Sequence, residues 1–181
     1  TPRGAGTNLV GSTVPLEGGI ILDLSRMDRV LELDEDTMTV TVEPGMLLQD
    51  LQAYVEARGL FYPPDPGEKA SSIGGNISTN AGGMRAVKYG VTRERISLKH
   101  LLIGSEGTLA VITKCLLRLV PKPEASLSVL VPYADLKTGI QSVLTILRAN
   151  ANPTAVEFME RKVVALGERF CGVSYPRPDA G

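Results

Sequence analysis

The chain has 181 residues, a formal net charge of −1, 43% hydrophobic residues and 22% charged residues. This balance is typical of a soluble globular protein and excludes an intrinsically disordered one. A charge near zero gives no general attraction to nucleic acid, so we expect no nucleic-acid partner. The apolar runs are too short for a transmembrane helix. Because the sequence begins at Thr1 and not at methionine, a targeting segment upstream stays open.

Patterns of apolar residues predict the elements of the first half. Residues 20–24 and 38–42 are predicted strands, because each is a short apolar or β-branched run close to turn-forming residues. Between them we predict a turn, a further strand and an acidic turn at residues 34–36. Residues 46–58 place leucine and valine at helical spacing, and Gly59 is predicted to end this helix.

The second half changes character at a pair of prolines. Residues 108–120 are predicted to be strand-like and end at Pro121 and Pro123, so we place a domain boundary there, between residues 1–121 and 122–181. Beyond it, predicted strands at 126–131 and 154–159 alternate with predicted helices at 135–149 and 162–170. This order is typical of the start of an α+β sandwich. No closing element follows, so we expect the second domain to be cut short.

The sequence contains no motif for metal or thiol chemistry. Cys115 and Cys171 lie far apart, with no C-x-x-C pair and no histidine cluster. We predict two reduced thiols and no metal site. His100 is the only histidine, and its helix-like surroundings favour a surface or hydrogen-bonded role over that of a base or a covalent attachment point.

Three glycine-rich clusters are the strongest functional signal. The first cluster, residues 1–11, reads TPRGAGTNLVG. Its G-x-G-x4-G spacing and the following Pro15 do not match the helix-opening fingerprint of nicotinamide-cofactor domains. We interpret it as a loop that wraps an anion with its backbone, with Arg3 as a charge partner. An ordinary glycine-rich turn is the alternative.

The second cluster, residues 63–90, reads PPDPGEKASSIGGNISTNAGGMRAVKYG and holds six glycines and almost no bulky side chains. Small residues let backbone N–H groups approach a ligand closely, and glycine can turn several of them toward one point. The third cluster, residues 104–108, reads GSEGT and precedes a hydrophobic segment. One such cluster is weak evidence, but three of them indicate loops that converge on one extended ligand.

The clusters and their flanks, including PPDPGEKASSIGGNISTNAGGMRAVKYGVTR and LLIGSEGTLAVIT, resemble in order the FAD-binding domain of the vanillyl-alcohol oxidase/PCMH superfamily. Within it, the likeness is greatest to the family of the FAD-linked glycolate oxidase subunit and D-lactate dehydrogenases, and it covers about residues 1–121. The resemblance implies an α+β fold. A PCMH-type FAD-binding domain of two α/β subdomains would be followed by the start of a ferredoxin-like α+β cap domain, in an incomplete chain.

The resemblance also implies contacts with FAD, which we expect to be bound non-covalently. The first cluster would surround the pyrophosphate, the second would line the flavin and the diphosphate, and the third would lie near the adenosine and isoalloxazine side. The implied cofactor-binding residues are Arg3, Gly4, Ala5, Gly6, Thr7, Asn8, Gly11, Pro64, Asp65, Ser72, Gly74, Gly75, Asn76, Thr79, Asn80, Gly82, Gly83, Glu106, Gly107, Val111 and Ile112.

The chain departs from the family pattern in three places. Family members carry a further segment where residues 93–97 here run together, and absent residues are favoured over a true deletion. The subdomain before PRGAGT and nearly all of the cap domain are missing, including a histidine and acidic motif that resembles a metal or substrate site in relatives. Ala110 replaces a glycine that is usual after SEGTL, which we expect only to narrow the turn.

The resemblance implies oxidation of a small D-2-hydroxy acid, glycolate or D-lactate, to the 2-oxo acid. Hydride would pass to the flavin and electrons then to a quinone, an iron–sulfur subunit or an electron-transfer flavoprotein. The alternatives are another enzyme on the same scaffold, of the aldonolactone oxidase or alkyl-glycerone-phosphate synthase type, and a non-catalytic flavin-binding subunit. We also expect a cytoplasmic location, including the inner face of the membrane, and a homodimer.

No catalytic residue is assigned from the sequence. Arg85, Lys88, Tyr89 and Arg93 include a candidate for binding the substrate carboxylate, since a hydroxy-acid oxidase needs a cation there. A solvated basic face is the favoured interpretation of this group. We therefore expect the catalytic residues to lie outside the chain.

Overall fold

The computed structural model describes residues 1–83, 85, 88 and 99–175. They form two compact units, the first comprising residues 1–124 and the second beginning at Ala125. Helices and strands are mixed along the chain, so the prediction of an α+β protein is confirmed. Within the described ranges, no helix has both the length and the apolar character needed to cross a membrane.

The first unit alternates short strands with short helices. Its strands are β1 (Pro2–Arg3), β2 (Leu22–Asp23), β3 (Val30–Asp34), β4 (Thr39–Val42), β5 (Leu60–Phe61), β6 (Cys115–Arg118) and β7 (Val120–Pro121). Its helices are α1 (Leu48–Glu56), α2 (Ile73–Ser78) and α3 (Lys99–Leu102). The second unit contains α4 (Leu136–Arg148) and α5 (Arg161–Cys171).

An antiparallel sheet in the order β3-β4-β6 is the main scaffold of the first unit. Val40, in the central strand β4, pairs with Leu33 on one side and Leu117 on the other. Two further pairs form separate two-stranded sheets: β1 runs parallel to β2, and β5 runs antiparallel to β7. Strand β6 follows the glycine clusters in sequence. It pairs with β4 and completes the sheet that contains β3 and β4.

The core of this unit lies between the sheet and α1. Leu48, Leu51 and Val55 lie at positions i, i+3 and i+7 of the helix and are fully buried against Val40 and Val42. This confirms the helix predicted over residues 46–58, although it is shorter at both ends. The glycine predicted to end it has a φ of 72°, and its N–H donates to Glu56 O at 3.2 Å.

An ion pair between the buried Glu43 and the exposed Arg29 closes one end of the sheet. Glu43 follows β4, is 6% exposed and accepts three hydrogen bonds from Arg29, from the backbone N–H at 3.0 Å, Nε at 3.1 Å and Nη2 at 2.9 Å. The hydrogen bonds from the Arg29 side chain hold the pKa of Glu43 below its ordinary value. The pair fixes the approach to Pro44 and Gly45, which lead into α1.

The two helices of the second unit agree with the prediction. Helix α4 begins after Asp135, whose Oδ1 accepts from Thr138 N at 2.9 Å, a side-chain cap of the kind that aspartate provides. Helix α5 ends at Gly172, which adopts the left-handed conformation with a φ of 67°.

Two strand predictions in this unit are wrong. Residues 126–131 and 154–159 form no strand and pair with no other segment in the part of the chain that is described. A strand is stabilised by its pairing partner, so apolar composition alone does not form one. Without a partner the apolar side chains stay in solvent, as at Leu127, which is 87% exposed, and Val129, which is 73% exposed.

The predicted strand over residues 108–120 is correct only at its end. Strand structure is confined to β6 and β7, while residues 110–114 have no regular structure. Ala110 and Ile112 line the cavity described below, so this part of the segment faces that cavity instead of a neighbouring strand.

Candidate cofactor site

The three glycine clusters meet around one cavity of about 390 Å³ in the first unit. Its walls come from residues 2–13, 66–81 and 106–112, with Leu24 and Pro44 contributed by the ends of β2 and β4. Cofactor and substrate sites typically have volumes of roughly 300–1,000 Å³. Residues far apart in sequence thus form a single concave surface of suitable size.

Most of the predicted cofactor-binding residues line this cavity. Those that do are Arg3, Gly4, Ala5, Gly6, Thr7, Asn8, Ser72, Gly74, Gly75, Asn76, Thr79, Glu106, Gly107 and Ile112. Those that lie outside its lining are Gly11, Pro64, Asp65, Asn80, Gly82, Gly83 and Val111.

Further lining residues were not singled out from the sequence. Most are neighbours of the motifs, so a wider window around each motif would have found them. Leu24 and Pro44 belong to no motif and reach the cavity only through the fold. The lining residues not predicted are Pro2, Leu9, Val10, Ser12, Thr13, Leu24, Pro44, Pro66, Gly67, Glu68, Ser71, Ser78, Ala81 and Ala110.

Ser72 joins the first cluster to the second. Its side chain is buried, and its Oγ accepts from Gly75 N at 3.3 Å, which caps the start of α2. The same oxygen accepts from Ala5 N at 3.3 Å, across the cavity floor. One hydroxyl therefore fixes the position of the 1–11 loop relative to α2.

Glycines allow the walls to approach one another. A Cβ on Gly4 would collide with Ser72 Oγ, and a Cβ on Gly74 would lie 2.6 Å from Pro44 Cβ. A Cβ on Gly107 would lie 2.8 Å from Pro2 Cγ. Real Cβ atoms do not come so close to other atoms, so a side chain at any of these positions would push the loops apart and change the shape of the cavity.

The third cluster is held against the end of α2 by two backbone hydrogen bonds. Gly104 N donates to Ile77 O at 3.1 Å, and Glu106 N donates to Ser78 O at 2.9 Å. The turn has positive φ angles of 79° at Gly104, 54° at Glu106 and 74° at Gly107. Glycine adopts such angles at little cost, but glutamate rarely does, so Glu106 is in a strained conformation.

Asp65 lies outside the cavity lining, and its contacts are with other side chains of the protein. The side chain is buried and forms ion pairs with Lys69 and with Arg85, whose Nε lies 3.2 Å away. It also accepts from Gln52 Nε2 at 3.2 Å. Burial, and then the charge of Arg85, lower the pKa of Lys69. Asp65 thus ties α1 and the two ends of the second cluster together.

Of the four residues that include a candidate substrate cation, the structure describes Arg85 and Lys88. The Arg85 guanidinium is engaged by Asp65 and lies 4.9 Å from the centre of the Phe61 ring. Lys88 is exposed and has an interaction of its own. Tyr89 and Arg93 lie outside the described residues, as does the junction at residues 93–97.

Cys115 is buried, which raises its pKa to about 12 and keeps the thiol protonated.

The residues around the cavity fit FAD. Two buried polar atoms in its lining, Asn76 Nδ2 and Glu106 Oε2, have no hydrogen-bond partner among the described residues. Buried polar groups are normally paired, so they indicate a ligand with hydrogen-bonding groups. Arg3 adds positive charge for a diphosphate, and the glycine-rich walls allow a flat ring to approach the backbone closely.

Family models match both units of the chain. The model of the FAD binding domain matches residues 1–112, and the model of the C-terminal domain of FAD linked oxidases matches residues 122–181. The solved structure of an alkyldihydroxyacetonephosphate synthase superposes with a TM-score of 0.73 at 26% identity, covering 85% of this chain and 33% of that chain.

Two curated relatives are similar over nearly the whole chain. A D-lactate dehydrogenase of Anaerostipes hadrus is 41% identical over 98% of this chain and 43% of the relative. The glycolate oxidase subunit GlcD of Bacillus subtilis (strain 168) is 39% identical over 97% of this chain and 43% of the relative. The chain therefore spans less than half the length of these relatives.

The first of these alignments spans 204 positions, more than the 181 residues of the chain, so that relative carries residues that the chain lacks. Both family matches name FAD, and the cavity with its two unpaired polar atoms is a site that fits it. The chain belongs to the FAD-binding domain family, as a member of the FAD-linked oxidoreductases in which this domain is followed by the FAD-linked oxidase C-terminal domain.

Proposed function

We propose that the protein oxidises a D-2-hydroxy acid, glycolate or D-lactate, to the 2-oxo acid. The observation that carries this proposal is the identity of about 40% to a D-lactate dehydrogenase and to a glycolate oxidase subunit across nearly the whole chain. Bound FAD would accept a hydride from the carbon that carries the hydroxyl, while the hydroxyl proton passes to a base. The electrons would then leave to a quinone, an iron–sulfur subunit or an electron-transfer flavoprotein.

The described residues bind and position the cofactor in this proposal. The 1–11 loop would surround the diphosphate with Arg3 beside it, and the small residues of α2 would bring the backbone against the flavin. We assign residues 1–121 to the FAD-binding domain and residues 122–181 to the start of the cap domain. The base and the carboxylate-binding cation are proposed to lie elsewhere, since Arg85 is engaged by Asp65.

We propose non-covalent attachment of FAD. His100 is the only histidine, and it lies on α3, outside the cavity lining. Cys115, with its raised pKa, is held in the core of the sheet. Neither side chain is placed to form a bond with a flavin in this cavity.

A second candidate, an enzyme of the alkyl-glycerone-phosphate synthase type, is favoured by one observation. The superposition on an alkyldihydroxyacetonephosphate synthase at a TM-score of 0.73 supports a shared scaffold. Its sequence identity of 26% is well below that of the hydroxy-acid relatives, which supports the first candidate over this one.

Anaerobic reduction of the flavin tests the proposed reaction. Purified full-length protein is mixed without oxygen with D-lactate, glycolate or D-2-hydroxyglutarate, and the visible flavin band is followed. We expect at least one of these acids to bleach the band, with L-lactate as the stereochemical control. A flavin that dithionite reduces but that none of the hydroxy acids reduces would overturn the proposal and favour the second candidate or a non-catalytic flavin-binding subunit.

A further inference from the structure

The two unpaired polar atoms of the cavity differ in chemistry. Asn76 is 5% exposed, and its Nδ2 is a hydrogen-bond donor. Glu106 Oε2 belongs to a carboxylate, which only accepts hydrogen bonds when ionised. Both residues line the same cavity, and the hydrogen bond from Glu106 N to Ser78 O brings the 104–107 turn against the helix that carries Asn76.

The backbone conformation of Glu106 is unfavourable for a residue with a side chain. A carboxylate at this position of the turn therefore costs conformational free energy. Its φ of 54° is one that glycine would adopt without strain, and the same turn contains glycine at 104 and 107. The Oε2 atom of Glu106 is also buried away from water without gaining a partner among the described residues. Strain and an unpaired buried group at one residue mark a position held for a ligand.

The negative charge of the Glu106 carboxylate excludes the diphosphate of FAD as its hydrogen-bonding partner. A diphosphate is anionic and offers no hydrogen to an acceptor at neutral pH, so it would repel Glu106. The partner must be neutral and must carry an N–H or O–H group. Asn76 requires an acceptor oxygen or nitrogen from the ligand.

We infer that Asn76 and Glu106 form a donor–acceptor pair that recognises a neutral hydrogen-bonding part of FAD, and that the diphosphate lies away from Glu106, toward the 1–11 loop. Three parts of FAD have this chemistry: the pyrimidine edge of the flavin, where N3–H lies between two carbonyl oxygens, the adenine edge, where an amino group lies beside a ring nitrogen, and the sugar hydroxyls. The inference rests on the proposed use of this cavity by FAD, and it adds which of its side chains select the cofactor.

The test measures FAD binding and apoprotein stability separately. Full-length protein is stripped of flavin, and the dissociation constant of FAD is measured by fluorescence quenching for wild type, Glu106→Gln and Asn76→Asp. We expect the dissociation constant to rise about tenfold or more in each variant, as for loss of a hydrogen bond to a charged or buried group. The exposed Glu35→Gln variant is the control and should stay within twofold of wild type.

Apoprotein melting separates a ligand role from a structural one. Because Glu106 is strained and unpaired without ligand, Glu106→Gln should not lower the melting temperature of the apoprotein, and Glu106→Gly should raise it while still weakening FAD binding. A parallel loss of melting temperature and affinity in Glu106→Gln would show a structural role and overturn the inference. Dissociation constants within twofold of wild type in both Glu106→Gln and Asn76→Asp would also overturn it.

The flavin edge is distinguished from the adenine and the sugar hydroxyls with 3-methyl-FAD, which lacks the N3–H. If Glu106→Gln and the methyl group weaken binding non-additively, the partner is the flavin edge; if their effects add, it is the adenine or a sugar hydroxyl. A wild-type protein that binds no FAD would instead refute the proposed cofactor. Variants that bind FAD as well as wild type would refute only the donor–acceptor pair.

Discussion

At the scale of single residues, one hydroxyl connects two parts of the candidate site. Ser72 Oγ accepts from Gly75 N within α2 and from Ala5 N in the 1–11 loop, both at 3.3 Å, and the side chain is 2% exposed. Removing it leaves two backbone donors unpaired in a buried place. The cavity shape thus depends on a residue that need not touch the cofactor's reactive ring.

The Ser72→Ala variant should therefore lose stability and cofactor affinity together. We expect the free energy of unfolding of the apoprotein to fall by about 1–2 kcal/mol, the usual range for losing an N-cap with its hydrogen bonds. The dissociation constant of FAD should rise as the 1–11 loop loosens. Chemical denaturation and flavin titration measure the two effects, and the exposed Ser126→Ala variant should show neither.

Glu43 predicts a pH dependence of stability. Its pKa lies below the ordinary value of 4.5 because Arg29 donates to the carboxylate, so the ionised form is the one that the fold stabilises. This contribution is fully present above pH 4.5 and is lost as the pH falls through the lowered pKa. We expect the melting temperature to fall less between pH 7 and pH 3 in Glu43→Gln than in wild type. Equal falls in the two proteins would refute this role.

At the scale of elements, α2 depends on a glycine that faces another loop. Gly74 N donates to Pro44 O at 2.8 Å, and a Cβ at this position would lie 2.6 Å from Pro44 Cβ and 3.0 Å from Pro44 O. The helix can approach the turn between β4 and α1 only without a side chain there. This contact also explains how Pro44, which belongs to no motif, comes to line the cavity.

The Gly74→Ala variant should accordingly destabilise the apoprotein, although alanine is the better helix former. We expect a loss of about 1–3 kcal/mol in the free energy of unfolding, as for overpacking of a tight contact. Gly167→Ala in α5 is the matched control, because no atom lies within 4 Å of the added Cβ. That variant should be as stable as wild type or more stable. A Gly74→Ala protein as stable as wild type would contradict the close approach.

The helices were more predictable from the sequence than the strands. Helix α1 follows from the local spacing of Leu48, Leu51 and Val55, and α4 from Asp135 before an amphipathic run. A strand depends on a partner that can lie anywhere in the chain, as β4 pairs with β6 across more than seventy residues. Residues 126–131 have strand composition and no partner among the described residues, so composition alone predicted too much.

At the scale of the whole molecule, the sequence predicted that the three glycine clusters meet. It did not predict what each of their residues contacts. The three clusters line one cavity because the sheet and the backbone hydrogen bonds at α2 bring them together. Asp65 lies within a cofactor motif, yet it forms ion pairs with Lys69 and Arg85 beside the cavity. Such a role depends on which side chains the fold places next to it, and motif spacing does not encode that.

Release of the cofactor on denaturation shows whether the cavity holds FAD without a covalent bond. Purified full-length protein is denatured by heat or acid, the polypeptide is removed by filtration, and the filtrate is examined by absorbance, fluorescence and mass spectrometry. We expect FAD to appear in the filtrate in near-stoichiometric amount and the polypeptide to keep no flavin fluorescence. Flavin that stays on the denatured polypeptide would contradict non-covalent binding, and a native protein that neither carries FAD nor takes it up would contradict the site itself.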